Sequence, residues 1–157
     1  MARVATAADA PTLLAIWTAF LPSMNAAYGA LNVNQARIAA DFVASMAAGD
    51  EYWLTNDLRG YVMGRPTQEG YQLVEAPLRN VTTTTDFNNL ARELITAWRD
   101  AGRARLLRQA YGIAPQAIAT RVRNYLTSRA LRRTAATMFQ TVPAYRWEFD
   151  LDTLLVP

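Results

Sequence analysis

Arginine is the residue type whose number and spacing most clearly suggest chemistry in this sequence. All sixteen basic residues are arginine, and ten of them lie between Arg92 and Arg133, where the only acidic residues are Glu93 and Asp100. This segment carries a net charge of +8, whereas the rest of the chain, with six arginines and eleven acidic residues, carries −5. Such asymmetry favours an acidic protein surface, a phosphate-bearing ligand or nucleic acid as a partner. A solvated helix face with acidic neighbouring subunits explains it equally well.

The chain lacks two residue types that many enzymes depend on. It contains no cysteine and no histidine, which excludes disulfides, thiolate metal sites and histidine-based triads. An enzyme built on this sequence would have to work with carboxylates, tyrosine, backbone amides or bound water. The absence of lysine is typical of a GC-rich genome, and selection for bidentate contacts to phosphate or carboxylate is the functional alternative.

Three carboxylates alternate near the end of the chain, at Glu148, Asp150 and Asp152. At this spacing they could share one face of a final strand, where they would bind a divalent metal or meet an arginine row on a neighbouring molecule. Because no other ligand type accompanies them, we predict no metal site and favour a solvated or subunit-facing sheet edge.

Length and composition bound the architecture. The 157 residues are 52% hydrophobic, so we expect one folded domain spanning residues 1–157 with a substantial core. No apolar run approaches the roughly 18 to 20 residues that a membrane-spanning helix needs. The N-terminus also lacks the basic start and continuous apolar core of a secretory signal.

The periodicity of apolar residues predicts the order strand, helix, helix, three strands, helix, strand, helix, two strands. Cap residues, proline and glycine mark several boundaries: Asp86 should cap the third helix and Gly102 should end it, Pro22 should end the first helix, and Pro115 should open the fourth. This order predicts an α/β (α+β) domain with a mixed central sheet flanked by about four helices. The predicted helices lie at about 7–22, 34–48, 86–102 and from 115 onward. The predicted strands are 3–6, 52–55, 59–63, 71–75, 104–111, 130–142 and 145–151. The residues expected in the core are Trp17, Phe42, Val62, Leu94, Trp98 and Ile118.

Three segments resemble the GNAT (general N-acetyltransferase) family. The opening Arg3–Pro11, followed by Leu13, Leu14 and Trp17, is similar to the first strand and helix of that family. Leu58–Gly64 resembles its central hairpin strand, and Ala114–Ala119 resembles the start of its last helix, where the family often has Asn-Pro-x-Ala. The order and spacing of these segments imply a GNAT-like fold.

The family binds the pyrophosphate of acetyl-CoA with a glycine-rich loop at the N-terminus of its third helix, where backbone amides and the helix dipole attract phosphate. In this sequence the corresponding stretch is Val81–Phe87, which has no glycine and places Asp86 beside the expected phosphate. We therefore expect no cofactor and no tight binding of acetyl-CoA. The chain is interpreted as a non-catalytic interaction module, with an acetyl-CoA-dependent N-acyltransferase that has an atypical cofactor loop as the alternative.

The resemblance assigns roles to particular residues if the chain is an active enzyme. The family's general acid is a tyrosine of the last helix; counting from Pro115, its place is taken by Arg121, and Tyr125 lies one turn later. Glu75 ends the fourth strand, where some members keep a general base. Arg79, Thr84, Thr85 and Arg92 would then hold the cofactor.

The chain also resembles small GNAT-like proteins that short-tailed bacteriophages carry as virion components. This likeness implies other protein subunits as partners and location in a virion, with a cytoplasmic enzyme as the alternative. We expect the partner-binding residues to be outward-facing arginines, namely Arg121, Arg129, Arg132 and Arg133. Nucleic acid is a further candidate partner, bound through the arginines of the segment from Arg92 to Arg133.

Overall fold

A computed structural model describes residues 1–28, 36–139 and 142–156, and its centre is one seven-stranded sheet. The strands lie in the order β1-β2-β3-β4-β5-β7-β6. Neighbouring strands are antiparallel except for β4 and β5, which run parallel. The strands are β1 Arg3–Val4, β2 Glu51–Leu54, β3 Tyr61–Thr67, β4 Gly70–Glu75, β5 Gln109–Pro115, β6 Arg132–Phe139 and β7 Val142–Asp150.

Helices cover both faces of the sheet. They are α1 Ala10–Tyr28, preceded by a short 3₁₀ turn at Ala7–Asp9, α2 Ala39–Ala47, α3 Thr84–Ala104 and α4 Thr120–Thr127. The side chains of α1 and α2 pack with Tyr52, Leu54 and Tyr61 on one face. Those of α3 and α4 pack with Trp53, Val62 and Trp147 on the other, since alternate residues of a strand point to opposite faces. The predicted mixed sheet flanked by helices is therefore confirmed.

The parallel pair β4 and β5 separates along its length. Only three residue pairs join the two strands, from Tyr71–Ala110 to Leu73–Gly112. Beyond that point β4 continues to Glu75 and β5 continues to Pro115, each held by its outer neighbour. The sheet therefore opens into a V-shaped gap between the carboxyl ends of its two central strands.

Most of the predicted core is buried, and its apolar contacts hold the layers together. Trp17, Phe42, Val62, Leu94 and Trp98 are at most 3% exposed. Ile118 is partly buried against the α3 side of the sheet. No helix in the described ranges is both long and apolar enough to cross a membrane.

Several predicted boundaries were wrong, each for a local reason. Pro22 lies inside α1 and does not end it. The third helix is capped by the side chain of Thr83, not Asp86, and continues to Ala104. The next strand therefore begins at Gln109, and Pro115 closes this strand instead of opening the last helix.

Two further predictions differ from the structure. The helix predicted from Asn34 begins at Ala39; Asn34 itself lies outside the described residues. Ile38 is its N-cap residue and is 64% exposed. The turn expected at 64–70 is shorter, because β3 extends to Thr67. Gly70, with a φ of +131°, then opens β4, and a Cβ there would lie 2.4 Å from the carbonyl oxygen of Gln109.

A cleft through the sheet as candidate active site

The gap between β4 and β5 forms a cleft of about 400 Å³ that reaches both faces of the sheet. Its wall includes the ends of both strands, from Leu73 to Ala76 and from Ile113 to Pro115. On one face it is lined by α3 and α4, through Phe87, Ala91, Arg121 and Tyr125; we call this the α4 end. On the other face it is lined by Trp17, Phe20, Met24 and Phe139; we call this the α1 end. Two molecules entering from opposite faces would therefore meet between the strands.

Tyr125 places a proton donor at the α4 end. Its side chain is buried, packs edge-on against the Phe87 ring at 5.8 Å, and its hydroxyl has no hydrogen-bond partner among the described residues. Burial raises the pKa of Tyr125, and the nearby Arg129 and Arg92 offset this only in part. The hydroxyl is therefore protonated at neutral pH, and its oxygen is buried in the wall of the cleft.

Arg121, which occupies the place expected for the family's tyrosine, lies over the Phe87 ring with its guanidinium carbon 4.9 Å from the centroid. It is exposed at the rim of the cleft and makes no ion pair within the described chain. A guanidinium placed over an aromatic ring can still direct N–H groups to an anion.

Glu75 lines the same cleft, but its oxygens are already engaged. Oε1 accepts hydrogen bonds from Arg37 at 2.6 Å and from the Tyr61 hydroxyl at 2.8 Å, and Oε2 accepts a second one from Arg37 at 2.8 Å. Burial, together with the negative charge of Glu75, raises the pKa of Tyr61 well above its ordinary value. Tyr61 is therefore a fixed donor, and only Oε2 of Glu75, which accepts a single hydrogen bond, keeps a lone pair for a further donor.

Arg37 is a cleft residue that the sequence did not indicate. Its guanidinium carbon lies 3.8 Å from the Trp17 ring centroid and 5.4 Å from that of Phe42. The bidentate pair with Glu75 joins the segment before α2 to the end of β4. These partners are separated by 38 positions in the chain, so no local spacing predicts the pair.

The N-terminus of α3, where the family binds pyrophosphate, is organised by Asp86. The Thr83 hydroxyl accepts a hydrogen bond from the Asp86 N–H at 3.1 Å, and the Asp86 carboxylate accepts one from the Thr82 N–H at 3.3 Å. Arg59 binds both oxygens of the same carboxylate. Arg59 also pairs with Asp57 at 2.7 Å, so the negative charge that argued against a phosphate is reduced by this ion pair but not cancelled.

The other residues expected to hold a cofactor are only partly brought together. Thr84 and Thr85 form the exposed first turn of α3, and their backbone N–H groups have no acceptor in the described chain. Arg92, two turns later on α3, is exposed and makes no described ion pair, and its charge acts on Tyr125. Arg79 instead donates to the carbonyl oxygen of Leu58 at 2.9 and 3.2 Å and is committed to that loop.

The four arginines expected to bind a partner have different surroundings. Arg121, Arg132 and Arg133 are exposed, whereas Arg129 is half-buried with its guanidinium carbon 3.5 Å from the centroid of the Tyr125 ring. Arg133 lies over the Tyr145 ring at 4.3 Å. Arg132 pairs with Glu148. One of the four thus has an internal carboxylate partner.

The carboxylate row near the C-terminus is not a sheet edge, because β7 lies between β5 and β6. Its members meet arginines of the same chain: Glu148 pairs with Arg132 and Arg146, and Asp150 pairs with Arg108. Among the described residues no group of histidine, cysteine or carboxylate side chains is arranged to hold a metal ion.

Comparison with known proteins identifies the fold. No family model and no curated protein matches the sequence. Solved structures do match over nearly the whole chain. A GNAT-family protein from Desulfovibrio desulfuricans is 15% identical with a TM-score of 0.68, and the match covers 96% of this chain and 98% of that one.

Two further matches are structures that contain the cofactor. PaiA N-acetyltransferase from Thermoplasma acidophilum, in complex with coenzyme A, is 9% identical with a TM-score of 0.69, covering 96% of this chain and 98% of that one. YncA from Salmonella typhimurium, with acetyl-CoA, is 12% identical with a TM-score of 0.67, covering 100% and 96%. The chain has the GNAT fold, and the fold implied by the sequence resemblance is confirmed.

Proposed function

We propose that this chain is an N-acyltransferase that uses acetyl-CoA. The observation that carries the proposal is the cleft through the sheet, with the protonated and unpartnered Tyr125 hydroxyl at its α4 end. The likeness to solved GNAT acetyltransferases supports it. The proposal reverses the expectation from the sequence, because the Asp86 carboxylate is engaged by Arg59, which weakens its negative charge although Arg59 also pairs with Asp57.

The residues around the cleft suit an elongated, polyanionic cofactor. The inner edges of β4 and β5 separate after Leu73 and Gly112, which leaves room for an extended amide chain between them. Arg92, Arg121 and the free N–H groups of the first turn of α3 would hold the phosphates, since cations and helix N-termini both attract them. When bound, acetyl-CoA supplies an activated thioester.

Two cleft residues then have different tasks. Tyr125 holds a proton at its Oη atom, and the raised pKa keeps it there until a developing anion in the cleft takes it. Glu75 accepts hydrogen bonds from Arg37 and Tyr61. The bond to Arg37 fixes the end of β4 against the segment before α2. We therefore assign proton donation to Tyr125 and positioning to Glu75.

Calorimetric titration with acetyl-CoA at low salt tests the proposal. Ala119 is exposed and lines the cleft, whereas Ala117 is exposed and does not. We expect saturable binding to the wild type, loss of binding in Ala119→Trp because the indole obstructs the cleft, and retention in Ala117→Trp. Absence of binding to the wild type at millimolar acetyl-CoA would overturn the proposal.

The second candidate function is a non-catalytic interaction module of a larger assembly, such as the virion of a short-tailed bacteriophage. Two features favour it: the loop before α3 has no glycine, and the arginines of α4 have no carboxylate partner in the described chain. In that case the partners are other protein subunits, or nucleic acid, and the location is the virion instead of the cytoplasm. The same titration separates the candidates, because an interaction module has no reason to retain a cofactor cleft.

A further inference from the structure

The α1 end of the cleft is lined mainly by apolar side chains, which indicates the class of ligand that it binds. Three aromatic rings and a thioether line it: Trp17, Phe20 and Phe139 with Met24. Aromatic and methionine side chains favour the insertion of a flat or aliphatic apolar group. Cleft ligands are usually oriented by a few polar groups in such an apolar wall, and here these are Arg37, Glu75 and the exposed Ser23.

The charges at this end cancel one another. Glu75 is the only carboxylate among the described residues that line the cleft, and both of its oxygens are bound by Arg37. Arg37 also contacts the faces of the Trp17 and Phe42 rings, at 3.8 and 5.4 Å from their centroids. A polycation entering this end would therefore find no free counter-charge and would meet a guanidinium at the wall. Placing unpaired ammonium groups against apolar side chains is costly.

From these contacts we propose that the α1 end binds the acyl acceptor, and that it selects an amine carried on a single aromatic or aliphatic group over a polyamine or a lysine-rich peptide. This inference rests on the proposed function, which supplies the reaction, acyl transfer to an amine. It adds the class of amine, which the proposed function leaves open. The two ends of the cleft meet between β4 and β5, so an amine seated at the α1 end reaches the same gap as a group seated at the α4 end.

Calorimetric titration with 2-phenylethylamine and with spermidine tests the selectivity directly. Both amines are titrated into the protein alone and into the protein saturated with CoA. We expect 2-phenylethylamine to bind at least tenfold more tightly than spermidine. Spermidine binding as tightly as 2-phenylethylamine would overturn the proposal. The proposal would also be wrong if 2-phenylethylamine bound neither to the protein alone nor to the protein saturated with CoA.

A matched pair of variants on α1 locates the site. Phe20 lines the cleft and is partly buried, whereas Thr18, two residues earlier, is exposed and does not line it. Phe20→Ala should weaken 2-phenylethylamine about tenfold, which corresponds to ~1.4 kcal/mol, and Thr18→Ala should leave it unchanged. Equal affinity of the two variants would overturn the location. Circular dichroism of Phe20→Ala shows whether the fold survives; if it does not, Phe20→Leu, which removes the ring and keeps the volume, replaces it.

The outcomes distinguish this inference from the proposed function. If acetyl-CoA fails to bind while 2-phenylethylamine binds in a Phe20-dependent way, the proposed function is wrong and the amine site stands. If acetyl-CoA binds and is lost in Ala119→Trp while 2-phenylethylamine does not bind, the proposed function stands and this inference is wrong.

Discussion

Arg59 holds Asp86 through both of its terminal nitrogens, at 2.7 Å from Oδ2 and 2.6 Å from Oδ1. Asp86 lies in the first turn of α3, where its carboxylate also accepts the Thr82 N–H. The carboxylate thus accepts a backbone N–H beside the start of the helix and forms an ion pair at the same time. Because Arg59 also pairs with Asp57 at 2.7 Å, the negative charge of Asp86 is weakened at this place without being cancelled.

The pair of Arg59 and Asp86 makes the stability of the fold depend on pH. The Arg59 guanidinium lowers the pKa of Asp86, with a further contribution from the Thr82 N–H. A group whose pKa is lower in the folded state stabilises the fold above its unfolded pKa of about 3.9, and the effect is lost as pH falls through the folded pKa. Asp86→Asn should therefore lower the free energy of unfolding at pH 7, and the difference from wild type should shrink below about pH 4.

Urea denaturation at pH 7, 5 and 3 measures this difference. Asp100→Asn is a suitable control, because Asp100 is an exposed residue of the same helix and forms an ion pair with its neighbour Arg99. A deficit in Asp86→Asn that stays constant down to pH 3 would show that the carboxylate acts through shape and not through charge.

Sequence reasoning located the elements better than it located the site. Alternating and helical apolar patterns report burial directly, so the layer order and the buried Trp98 followed from them. The capping residue of α3 was misassigned because Thr83 and Asp86 are both good cap residues, and only the backbone geometry decides between them. Cap side chains are therefore weak markers of a boundary where several stand together.

The cleft depends on relationships that no local pattern contains. The separation of β4 from β5 follows from how their outer neighbours hold them. Tyr125 and Glu75 were identified through family resemblance, but the bonds of Glu75 to Arg37 and Tyr61 came only from the structure. The type and spacing of residues can indicate a candidate, whereas its hydrogen-bond partners decide what it can do.

Tyr125→Phe should separate catalysis from stability. Because the hydroxyl is buried without a partner, its removal should leave the free energy of unfolding unchanged or raise it by about 1 kcal/mol. If Tyr125 donates a proton, kcat should fall by a factor on the order of 100 or more while KM changes little. Steady-state kinetics and urea denaturation on the same preparation measure both quantities.

Tyr61→Phe is the matched control for that substitution. It also removes a buried hydroxyl, but one that donates to Glu75 at 2.8 Å, so it should destabilise the fold by about 1–2 kcal/mol. Equal stability losses in the two variants would contradict the assignment of Tyr125 as the unpartnered hydroxyl.

Arg37→Met should destabilise the chain, because it leaves the Glu75 carboxylate, 13% exposed, without its bidentate partner. Breaking a largely buried ion pair costs about 3–5 kcal/mol, and the partial exposure of Arg37 places the expected loss near the lower limit. Combining it with Glu75→Gln should recover part of the loss. Urea denaturation of both single variants and the double variant gives the coupling energy; strictly additive losses would contradict the pairing.

Trp98→Ala tests the core beneath the cleft. The indole is fully buried, stacks on Tyr71 at 5.8 Å and meets the Phe149 ring edge-on at 5.7 Å. Its removal should lower the free energy of unfolding by about 3–5 kcal/mol. Asp100→Ala, an exposed position on the same helix, should change it by less than about 0.5 kcal/mol. A small loss in Trp98→Ala, measured by urea denaturation, would place the indole outside the core.

The arginines divide into two groups with different expected behaviour. Among the residues that the structure describes, nine of the sixteen form ion pairs with carboxylates, and Arg132 is one of them through its pair with Glu148. Arg121, Arg129 and Arg133 lie over aromatic rings and have no carboxylate partner among the described residues. The sequence has no acidic residue between Asp100 and Glu148 to compensate them. If an acidic partner compensates their charge, the arginines with an internal carboxylate and those without one should respond differently to charge reversal.

The double variant Arg121→Glu and Arg133→Glu should lose binding to an anionic probe and keep its melting temperature, since neither residue has an internal carboxylate to lose. Arg132→Glu should lower the melting temperature, because it places a second negative charge beside Glu148.

Polyglutamate serves as the carboxylate probe and a 20-mer duplex DNA as the phosphate probe, each titrated at 50 and 200 mM salt. A protein-type acidic partner predicts binding to polyglutamate, whereas preference for DNA with a steep salt dependence would indicate a nucleic-acid partner instead. A double variant that melts earlier and binds both probes as wild type does would show that these arginines are compensated internally, and the partner prediction would then be wrong.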